Sequence, residues 1–343
     1  MSFENVVFVN ASAAKSGGAL TILNLFCRSK IYDENNFYYV ASPVKPIILP
    51  KNSKWLSVST SGIFSALFSL FICNFYYFYY GCNKLISFSN INSIFPINNR
   101  VTYFHNILIC DSNLFKYKLI RFALKHLNQS KCKYIFQTRY VRDRFNSVLI
   151  CDVSYMIAWP GLNKELLSCM SHDSIMTTFS SSRIKDGSKT FIVPIMNVND
   201  KHKNFDFLLS IVEEVSKRSL DITFKVTANY PVNEGKSFNK HIVFIGELTH
   251  KDFIEEISIS NGILICSTKE TLCLPIFEAI CRKKPALVLN AEYMSGLHDR
   301  FGKIPGMFLF NDVKEVCDIM VSDSLFSVAY ADSKIYIDGD WEF

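Results

Sequence analysis

The sequence predicts an α/β protein built from two doubly wound domains. Apolar, strand-like segments alternate with segments of helical periodicity along most of the chain, as expected for parallel sheets covered by helices. A length of 343 residues is enough for two domains of ordinary size. A serine-rich stretch of weak periodicity, 171–188, lies between two such sets of elements and indicates an interdomain connection.

The first set of elements begins with an apolar strand at 6–10 and a helix at 19–27. Further strands are predicted at 37–41, 84–88, 101–104 and 134–136, and helices at 114–127 and 141–148. The second set begins at 191–193 and continues through 205–215, 222–226, 241–245, 253–259, 263–266, 276–281 and 286–289. The predicted organisation is a first domain of 1–158, a linker region of 159–190, a second domain of 191–325 and a tail of 326–343, whose return to the first domain is left open.

Residues 62–81 form an uncharged, strongly apolar run whose length reaches the threshold for a membrane-spanning helix. Ser65, Ser69 and Asn74, together with clustered aromatic residues, weaken that interpretation. We therefore predict a buried or membrane-surface helix of the first domain. Ordinary core packing and docking of a lipid-linked molecule both remain open as explanations of its apolar character.

The net charge and the cysteine pattern indicate which kinds of ligand and which cellular compartment suit the protein. The 37 basic and 31 acidic residues leave a net charge of +6, which suits phosphate-bearing ligands or an anionic bilayer but not the basic stripe of a nucleic-acid-binding protein. The eleven cysteines include no C-x-x-C pair, and no cleavable signal peptide is evident. These features predict a cytoplasmic protein with reduced thiols, without a disulfide framework or a zinc site.

Glu270 and Glu278 form the most informative pattern. Glu270 closes a short polar loop directly after the apolar run 262–266, and Glu278 lies one turn after Pro275, which is well placed to open a helix. A strand, a tight loop and a helix start bring backbone N–H groups together, which favours an anion. We interpret the loop amides as phosphate ligands and the two acids as acceptors from sugar hydroxyls. The alternative is a surface glutamate followed by a helix-start glutamate.

This segment resembles the E-x7-E element of retaining glycosyltransferases of the GT-B architecture, especially family 4. The matching residues are Ser267, Glu270, Thr271, Leu272, Leu274, Pro275, Glu278 and Ala279, followed by Lys284 and Pro285. Cys273 stands where the family has glycine. The resemblance implies two Rossmann-like domains facing across a cleft. It also implies that Glu270 holds donor-sugar hydroxyls, that Glu278 accepts from the ribose, and that Thr271–Leu274 bind the donor.

Gly17 and Gly18 lie between the first strand and the first helix, where glycine lets a ligand approach helix-start amides. A simple turn is the alternative. The pair resembles the Gly-Gly loop that faces donor phosphate or acceptor in the same transferases.

His105 follows the strand at 101–104, and polar residues at such strand ends point toward ligands in parallel sheets. A structural histidine is the alternative. In the resemblance this histidine contacts the donor sugar and the reacting region. The next strand end carries Gln137, Thr138 and Arg139, which the resemblance assigns to the acceptor side.

The positive charge for a diphosphate is predicted in the loop that opens the second domain. Lys203 matches the lysine of the family pattern, whereas Asn197 stands six residues earlier, where the family has arginine. The alternative for this segment is a lysine-rich exposed loop. Gly246 lies in the segment 244–248, which resembles the Phe-x-Gly-x-Leu turn that covers the nucleotide base in these enzymes.

Taken with the resemblance, these residues imply a retaining transferase that uses a nucleoside diphosphate sugar, with a UDP-sugar preferred. The acceptor would be a growing surface polysaccharide, such as an O-antigen, or its polyprenyl-linked precursor, with peripheral membrane contact and no nucleic-acid partner. No cofactor and no metal are predicted, because no Asp-x-Asp pair was recognised. Two alternatives stay open, which are a sugar-nucleotide epimerase or hydrolase of the same architecture and a catalytically weakened binding subunit.

Overall fold

The computed structural model describes residues 3–149, 153–164, 188–230, 239–330 and 332–343. The chain divides into two compact units. Unit 1 comprises Met1–Gly161 and Asp338–Phe343, and unit 2 comprises Leu162–Ile337. Each unit is a parallel β-sheet flanked by helices, which confirms the predicted α/β class.

Within the described residues, the sheet of unit 1 has seven strands in the order β3-β2-β1-β4-β5-β6-β7. The chain runs outward from β1 to β3 and then crosses back to β4, so the winding reverses beside β1. Ligands bind at such reversals in doubly wound sheets. The strands are β1 Asn5–Asn10, β2 Asn36–Ser42, β3 Ser53–Ser57, β4 Lys84–Ser87, β5 Arg100–Phe104, β6 Lys133–Phe136 and β7 Tyr155–Ile157.

The helices of unit 1 connect these strands. They are α1 Gly17–Ser29, α2 Ile63–Leu67, α3 Cys73–Tyr79, α4 Leu108–Asp111, α5 Phe115–His126 and α6 Arg139–Val148, with a π-helical turn, Phe68–Ile72, joining α2 to α3. The connections β1–β2 and β3–β4 run in opposite directions across the sheet. Since parallel crossovers are right-handed, α1 lies on one face of the sheet and the helices at 63–79 lie on the other.

Unit 2 has six described strands in the order β10-β9-β8-β11-β12-β13. They are β8 Lys189–Val193, β9 Ile222–Val226, β10 Ile242–Phe244, β11 Gly262–Ile265, β12 Ala286–Leu289 and β13 Met307–Phe310. The helices are α7 Phe205–Lys217, α8 His250–Ile259, α9 Leu274–Cys281, α10 Met294–Phe301, α11 Val313–Val321 and α12 Lys334–Ile337. Helix α7 buries residues at helical spacing, including Leu208, Ile211 and Val215, against Phe224 and Leu264 of the sheet.

The predicted elements are all present where the structure describes them, with ends shifted by a few residues. Three strands were not predicted, and each of them lies at the edge of a sheet, namely β3, β7 and β13. An edge strand pairs on one side only and buries fewer side chains, so its sequence carries a weaker apolar pattern. Of the predicted linker 159–190, residues 165–187 lie outside the described residues.

The C-terminal residues pack on unit 1. Trp341 is buried, its ring lies 5.7 Å from that of Phe26, and its indole N–H donates to the carbonyl of Pro160 at 3.0 Å. Asp340 accepts the backbone N–H of Trp159 through Oδ2 and donates its own backbone N–H to the same residue. Asp338–Phe343 therefore complete unit 1, whereas the chain up to Ile337 belongs to unit 2.

The apolar run 62–81 forms α2, the π-helical turn and α3. No helix within the described residues is long and apolar enough to cross a bilayer. One side of this helical segment packs into the core of unit 1 through Phe68, Cys73 and Tyr77. The other side exposes large aromatic residues, so the segment is not an ordinary core helix.

Candidate functional site

The candidate site of unit 2 lies where the loops after β8 and β11 meet. These two strands are hydrogen-bonded neighbours, with Gly262 paired to Phe191 and Ile263 to Ile192. The carboxyl ends of neighbouring parallel strands lie at the same edge of a sheet, where ligands bind in α/β proteins. Residues that are far apart in sequence are thereby brought into contact.

Lys203 and Glu270 form an ion pair at this edge. Lys203 Nζ lies 2.6 Å from Glu270 Oε1, and the two side chains are 24% and 17% exposed. Burial alone would lower the pKa of Lys203, but the adjacent Glu270 carboxylate outweighs burial and raises that pKa. Lys203 is therefore a fixed cation that remains accessible to a ligand.

The lysine is positioned by the backbone around it. Lys203 ends a 3₁₀ turn, and Asn204, with φ 57° and ψ 49°, turns the chain into α7. Asparagine tolerates this left-handed conformation better than most residues. The backbone N–H of Thr268 donates to the carbonyl of His202 at 2.9 Å, which ties the loop after β11 to the loop after β8. Two independent contacts therefore hold the lysine beside Glu270.

The loop Thr271–Leu274 turns sharply into α9. Cys273 adopts φ 54° and ψ 63°, the left-handed conformation that favours glycine, and its side chain is buried. The chain thus keeps the glycine-type turn although cysteine occupies the position. No side chain caps the start of α9, and no acid lies in its first turn. Pro275 has no N–H, and the N–H of Ile276 donates to the carbonyl of Cys273 at 3.0 Å. The part of this helix start suited to an anion is therefore the N–H of Leu274, with the positive end of the helix dipole.

Glu278 lies on the second turn of α9, with a side chain only 6% exposed. His250, the first residue of α8, places Nε2 2.6 Å from Glu278 Oε1. Burial would lower the pKa of His250, but the hydrogen bond and charge of Glu278 raise it above its usual range. The predicted acceptor of ribose hydroxyls is thus a buried carboxylate oriented by a histidine.

Two other predicted donor residues lie in turns of unit 2. Gly246 has φ 77°, donates its N–H to the carbonyl of Ala228 at 3.1 Å, and has Asn229 Oδ1 close to where a Cβ would stand. Asn197 is exposed, and its Oδ1 accepts the backbone N–H of Asn199 at 3.0 Å. Asn197 shapes its own loop and supplies no charge.

In unit 1, Gly17 and Gly18 begin α1. Gly17 has φ 58°, and a Cβ on Gly18 would meet no atom within 4 Å. No side chain caps this helix, and its first turn has no acid. The glycine pair therefore opens a second helix without a side-chain cap, and donor binding at this pair stays a prediction.

His105 follows β5, and its backbone N–H donates to Asn90 Oδ1 at 2.8 Å. Burial lowers the pKa of His105 to about 4, so the imidazole is neutral at neutral pH. Gln137 and Thr138 follow β6 and are buried, whereas Arg139 is exposed.

Thr138 accepts the backbone N–H of Val141 and caps α6, which gives it a structural task. Gln137 Nε2 donates to the hydroxyl of Tyr103 at 3.3 Å, and its Oε1 has no hydrogen-bond partner within the described residues.

Two residues of the unit 2 site, His250 and Tyr293, were not predicted from the sequence. Their positions could have indicated them, because His250 opens a helix just after the Gly246 turn and Tyr293 follows β12. The hydroxyl of Tyr293 is buried and has no hydrogen-bond partner in the part of the chain that the structure describes. Burial, then the neighbouring Cys273 and Glu270, hold the pKa of Tyr293 well above its usual range.

The prediction that no Asp-x-Asp pair exists was wrong, because Asp338 and Asp340 have that spacing. Asp340 holds the C-terminal residues against Trp159. The absence of an essential metal stays a prediction.

No protein-family model and no curated protein sequence matches the chain. Its fold, in contrast, matches several solved structures. WaaG, a glycosyltransferase involved in lipopolysaccharide biosynthesis, is 11% identical with a TM-score of 0.69 over 94% of this chain and 92% of its own. Anabaena HepE, solved in complex with UDP and glucose, is 14% identical with a TM-score of 0.68 over 97% and 95%. Sucrose-phosphate synthase from Thermosynechococcus elongatus is 9% identical with a TM-score of 0.64 over 93% and 90%. The chain therefore has the α/β fold of GT-B glycosyltransferases.

Proposed function

We propose that the chain is a retaining glycosyltransferase that moves a hexosyl unit from a UDP-sugar to a surface polysaccharide or its lipid-linked precursor. The observation that carries the proposal is the Lys203–Glu270 pair beside the uncapped start of α9. A cation beside a helix start suits a diphosphate, and the carboxylate suits sugar hydroxyls. Fold similarity to HepE, which was solved with UDP and with UDP-glucose, supports the choice of UDP.

Charge separation explains the roles of these groups. As the bond from the anomeric carbon to phosphate breaks, negative charge collects on the leaving diphosphate. Lys203 and the amides of Thr271–Leu274 stabilise that charge. Glu270 holds the hydroxyls of the donor sugar, and Glu278, oriented by His250, accepts from the ribose.

The configuration at the anomeric carbon is retained because the acceptor hydroxyl attacks from the same face that the phosphate leaves. The acceptor hydroxyl forms the new bond to the anomeric carbon, and its proton passes to an oxygen of the leaving phosphate. His105 takes part as a neutral imidazole that orients substrate by hydrogen bonds, since its pKa is held near 4. No cofactor enters this sequence of steps.

The acceptor is a hydroxyl of a polysaccharide or of a polyprenyl-linked precursor, at the cytoplasmic face of the membrane. Of the three acceptor-side residues, Gln137 and Arg139 are assigned to hydrogen bonds with the acceptor. Thr138 is not, because its side chain caps α6. The missing arginine at Asn197 leaves Lys203 as the principal cation of the proposed leaving-group site. Substitution of Lys203 should therefore reduce sugar transfer more in this protein than substitution of the corresponding lysine does in a transferase that also has the arginine.

The test is a panel of sugar nucleotides offered to the purified chain with lipid acceptor extracted from cells. Transfer with retained anomeric configuration, from a UDP-sugar, is the expected result. Glu270→Gln should abolish most transfer while the protein stays folded. Glu255→Gln is the matched control, because Glu255 is an exposed glutamate of the same unit.

Three results would overturn the proposal. Free sugar without acceptor indicates a hydrolase, and an altered sugar nucleotide indicates an epimerase. Binding of the nucleotide without turnover by any acceptor indicates a weakened binding subunit.

A further inference from the structure

The helical segment 63–79 differs from an ordinary surface helix, because large apolar residues lie on its exposed side as well as on its buried side. Its buried side includes Ser65, Ser69 and Asn74. Its exposed side presents an apolar stripe, which we call the aromatic face. The aromatic face consists of Phe64, Leu67, Phe71, Phe75, Phe78 and Tyr79.

The inward polar residues are satisfied by specific partners. Ser69 accepts from Asn10 Nδ2 at 2.8 Å, Ser65 donates to the carbonyl of Ser12 at 3.2 Å, and Asn74 accepts from the hydroxyl of Ser93. These bonds fix the rotation of the helix, so the aromatic residues cannot turn inward without breaking them. The exposure of the aromatic face is therefore built into the packing of unit 1.

The face is continuous along the helix. Positions 64, 67, 71, 75 and 78 follow helical spacing and fall on one side of the helix. Phe64, Phe75 and Phe78 are each 64–67% exposed, and Tyr79 is 71% exposed. A contiguous apolar patch of this kind on a protein surface marks an interaction or membrane site.

Helix α5 supplies positive charge on the same side of the sheet. Leu70 of the π-helical turn belongs to the same hydrophobic core cluster as Tyr117 and Leu124 of α5, so both helical segments cover the same core on one face of the sheet. Helix α5 carries three lysines and one arginine without any acidic residue, and it exposes Phe115 and Phe122 beside the lysines. Aromatic rings interleaved with lysines suit the boundary between lipid tails and anionic headgroups.

A second copy of the chain fits this surface poorly. Asp111 is the one acidic residue in the sequence between residues 62 and 133, and it is paired with Arg144 at 2.7 Å. Two such surfaces meeting face to face would bring lysines against lysines. An anionic bilayer offers both an apolar interior for the aromatic rings and negatively charged headgroups for the lysines.

We propose that the aromatic face, with the lysines of α5, docks the protein onto an anionic lipid bilayer. The rings of Phe75 and Phe78 enter the interface, and Lys118 and Lys125 contact the headgroups. This surface belongs to unit 1 alone and is independent of sugar transfer, so each proposal can fail without the other.

The test is flotation of the full chain with vesicles of phosphatidylcholine alone or mixed with phosphatidylglycerol. We expect binding to the mixed vesicles, weaker in high salt because the charges are exposed. The double variant Phe75→Ser/Phe78→Ser should bind at least tenfold less. Tyr32→Ser is the matched control, since Tyr32 is an exposed ring that follows α1, on the opposite face of the sheet.

A second pair of variants tests the charge. Lys118→Gln/Lys125→Gln should weaken binding to the mixed vesicles about fivefold per lysine. Lys217→Gln/Lys303→Gln removes the same charge from unit 2 and should change nothing. Absence of flotation, equal loss in the control variants, or a dimer that Phe75→Ser/Phe78→Ser dissolves would each overturn the proposal. Circular dichroism and thermal denaturation report whether the variants remain folded.

Discussion

Lys203 and Glu270 are separated by 67 positions in the sequence, yet their side chains meet at 2.6 Å. The contact exists because β8 and β11 are neighbours in the sheet of unit 2. The pair keeps the lysine charged and aimed at the start of α9, before any ligand arrives. Each member is therefore needed to position the other.

The first prediction concerns this pair. Lys203→Met and Glu270→Gln should each lower the free energy of unfolding by about 1–3 kcal/mol, because each leaves a half-buried partner without its hydrogen bond. The double variant should lose less than the sum of the two. Lys203→Met should also weaken UDP binding more than Glu270→Gln, since the proposed function assigns the diphosphate to the lysine. Chemical denaturation and calorimetric titration with UDP measure both effects.

A strictly additive double-mutant cycle would show that the two side chains do not interact. Equal affinity of Lys203→Met and the unchanged protein for UDP would remove the lysine from the donor site. Lys201→Met is a suitable control, because Lys201 is an exposed lysine of the same 3₁₀ turn.

The second prediction concerns the pH dependence of the His250–Glu278 pair. The pKa of His250 is raised in the folded protein, so the folded state holds its proton more tightly than the unfolded state does. The stabilisation is complete below the ordinary histidine pKa of about 6.5 and is lost as pH rises through the higher folded value. As pH rises through this range, the free energy of unfolding should therefore fall more in the unchanged protein than in His250→Gln.

Denaturation at a series of pH values measures this difference. A constant gap between the two proteins at every pH would contradict the prediction. If His250 orients Glu278 for the ribose, the KM for the sugar nucleotide should show the same pH dependence in the unchanged protein and lose it in His250→Gln. A stabilising role alone would leave KM unaffected.

The sequence predicted the individual elements of the unit 2 site better than their contacts. Glu270 and Glu278 were expected in a loop and a helix that follow a buried strand, because strand ends and helix starts follow from apolar patterns. Lys203 was singled out by the family resemblance, and the roles of all three residues stay predictions. The direct bond between Lys203 and Glu270 was not predicted, since it depends on the order of strands in the sheet. The partnership of His250 with Glu278 was missed for the same reason, as it joins residues 28 positions apart on two helices.

The run 62–81 shows a different limit. Its apolar composition predicted a helix but could not say which side is buried. That choice depends on hydrogen bonds that join Ser65 to Ser12 and Ser69 to Asn10. Composition alone does not specify that these polar residues lie on the buried side, next to Phe68 and Tyr77, while other large aromatic residues are exposed.

The third prediction concerns the left-handed turn at Cys273. A β-branched residue is strained at φ 54°, so Cys273→Val should destabilise the protein by about 1–2 kcal/mol more than the same change at Cys266. Cys266 is buried nearby at the end of β11 and does not have a positive φ. Cys273→Gly should be close to neutral, because relief of strain offsets the loss of a buried side chain. Thermal denaturation of the three variants decides, and equal losses for both valine substitutions would show that the turn is not strained.

The last prediction concerns the buried hydroxyl of Tyr293. Because this hydroxyl has no hydrogen-bond partner within the described residues, Tyr293→Phe removes an unsatisfied polar group. We expect the free energy of unfolding to stay unchanged or to rise by about 1 kcal/mol. Tyr38→Phe is the contrasting case, since the hydroxyl of Tyr38 donates to Asp33 Oδ2 at 2.6 Å and its loss should cost about 1–3 kcal/mol. Denaturation of both variants without ligand tests the contrast, and a loss at Tyr293 as large as that at Tyr38 would show that a bound water or side chain satisfies the hydroxyl. Repeating the measurement with saturating UDP-sugar tests whether the hydroxyl binds the donor. If it does, the ligand should raise the free energy of unfolding less in Tyr293→Phe than in the unchanged protein.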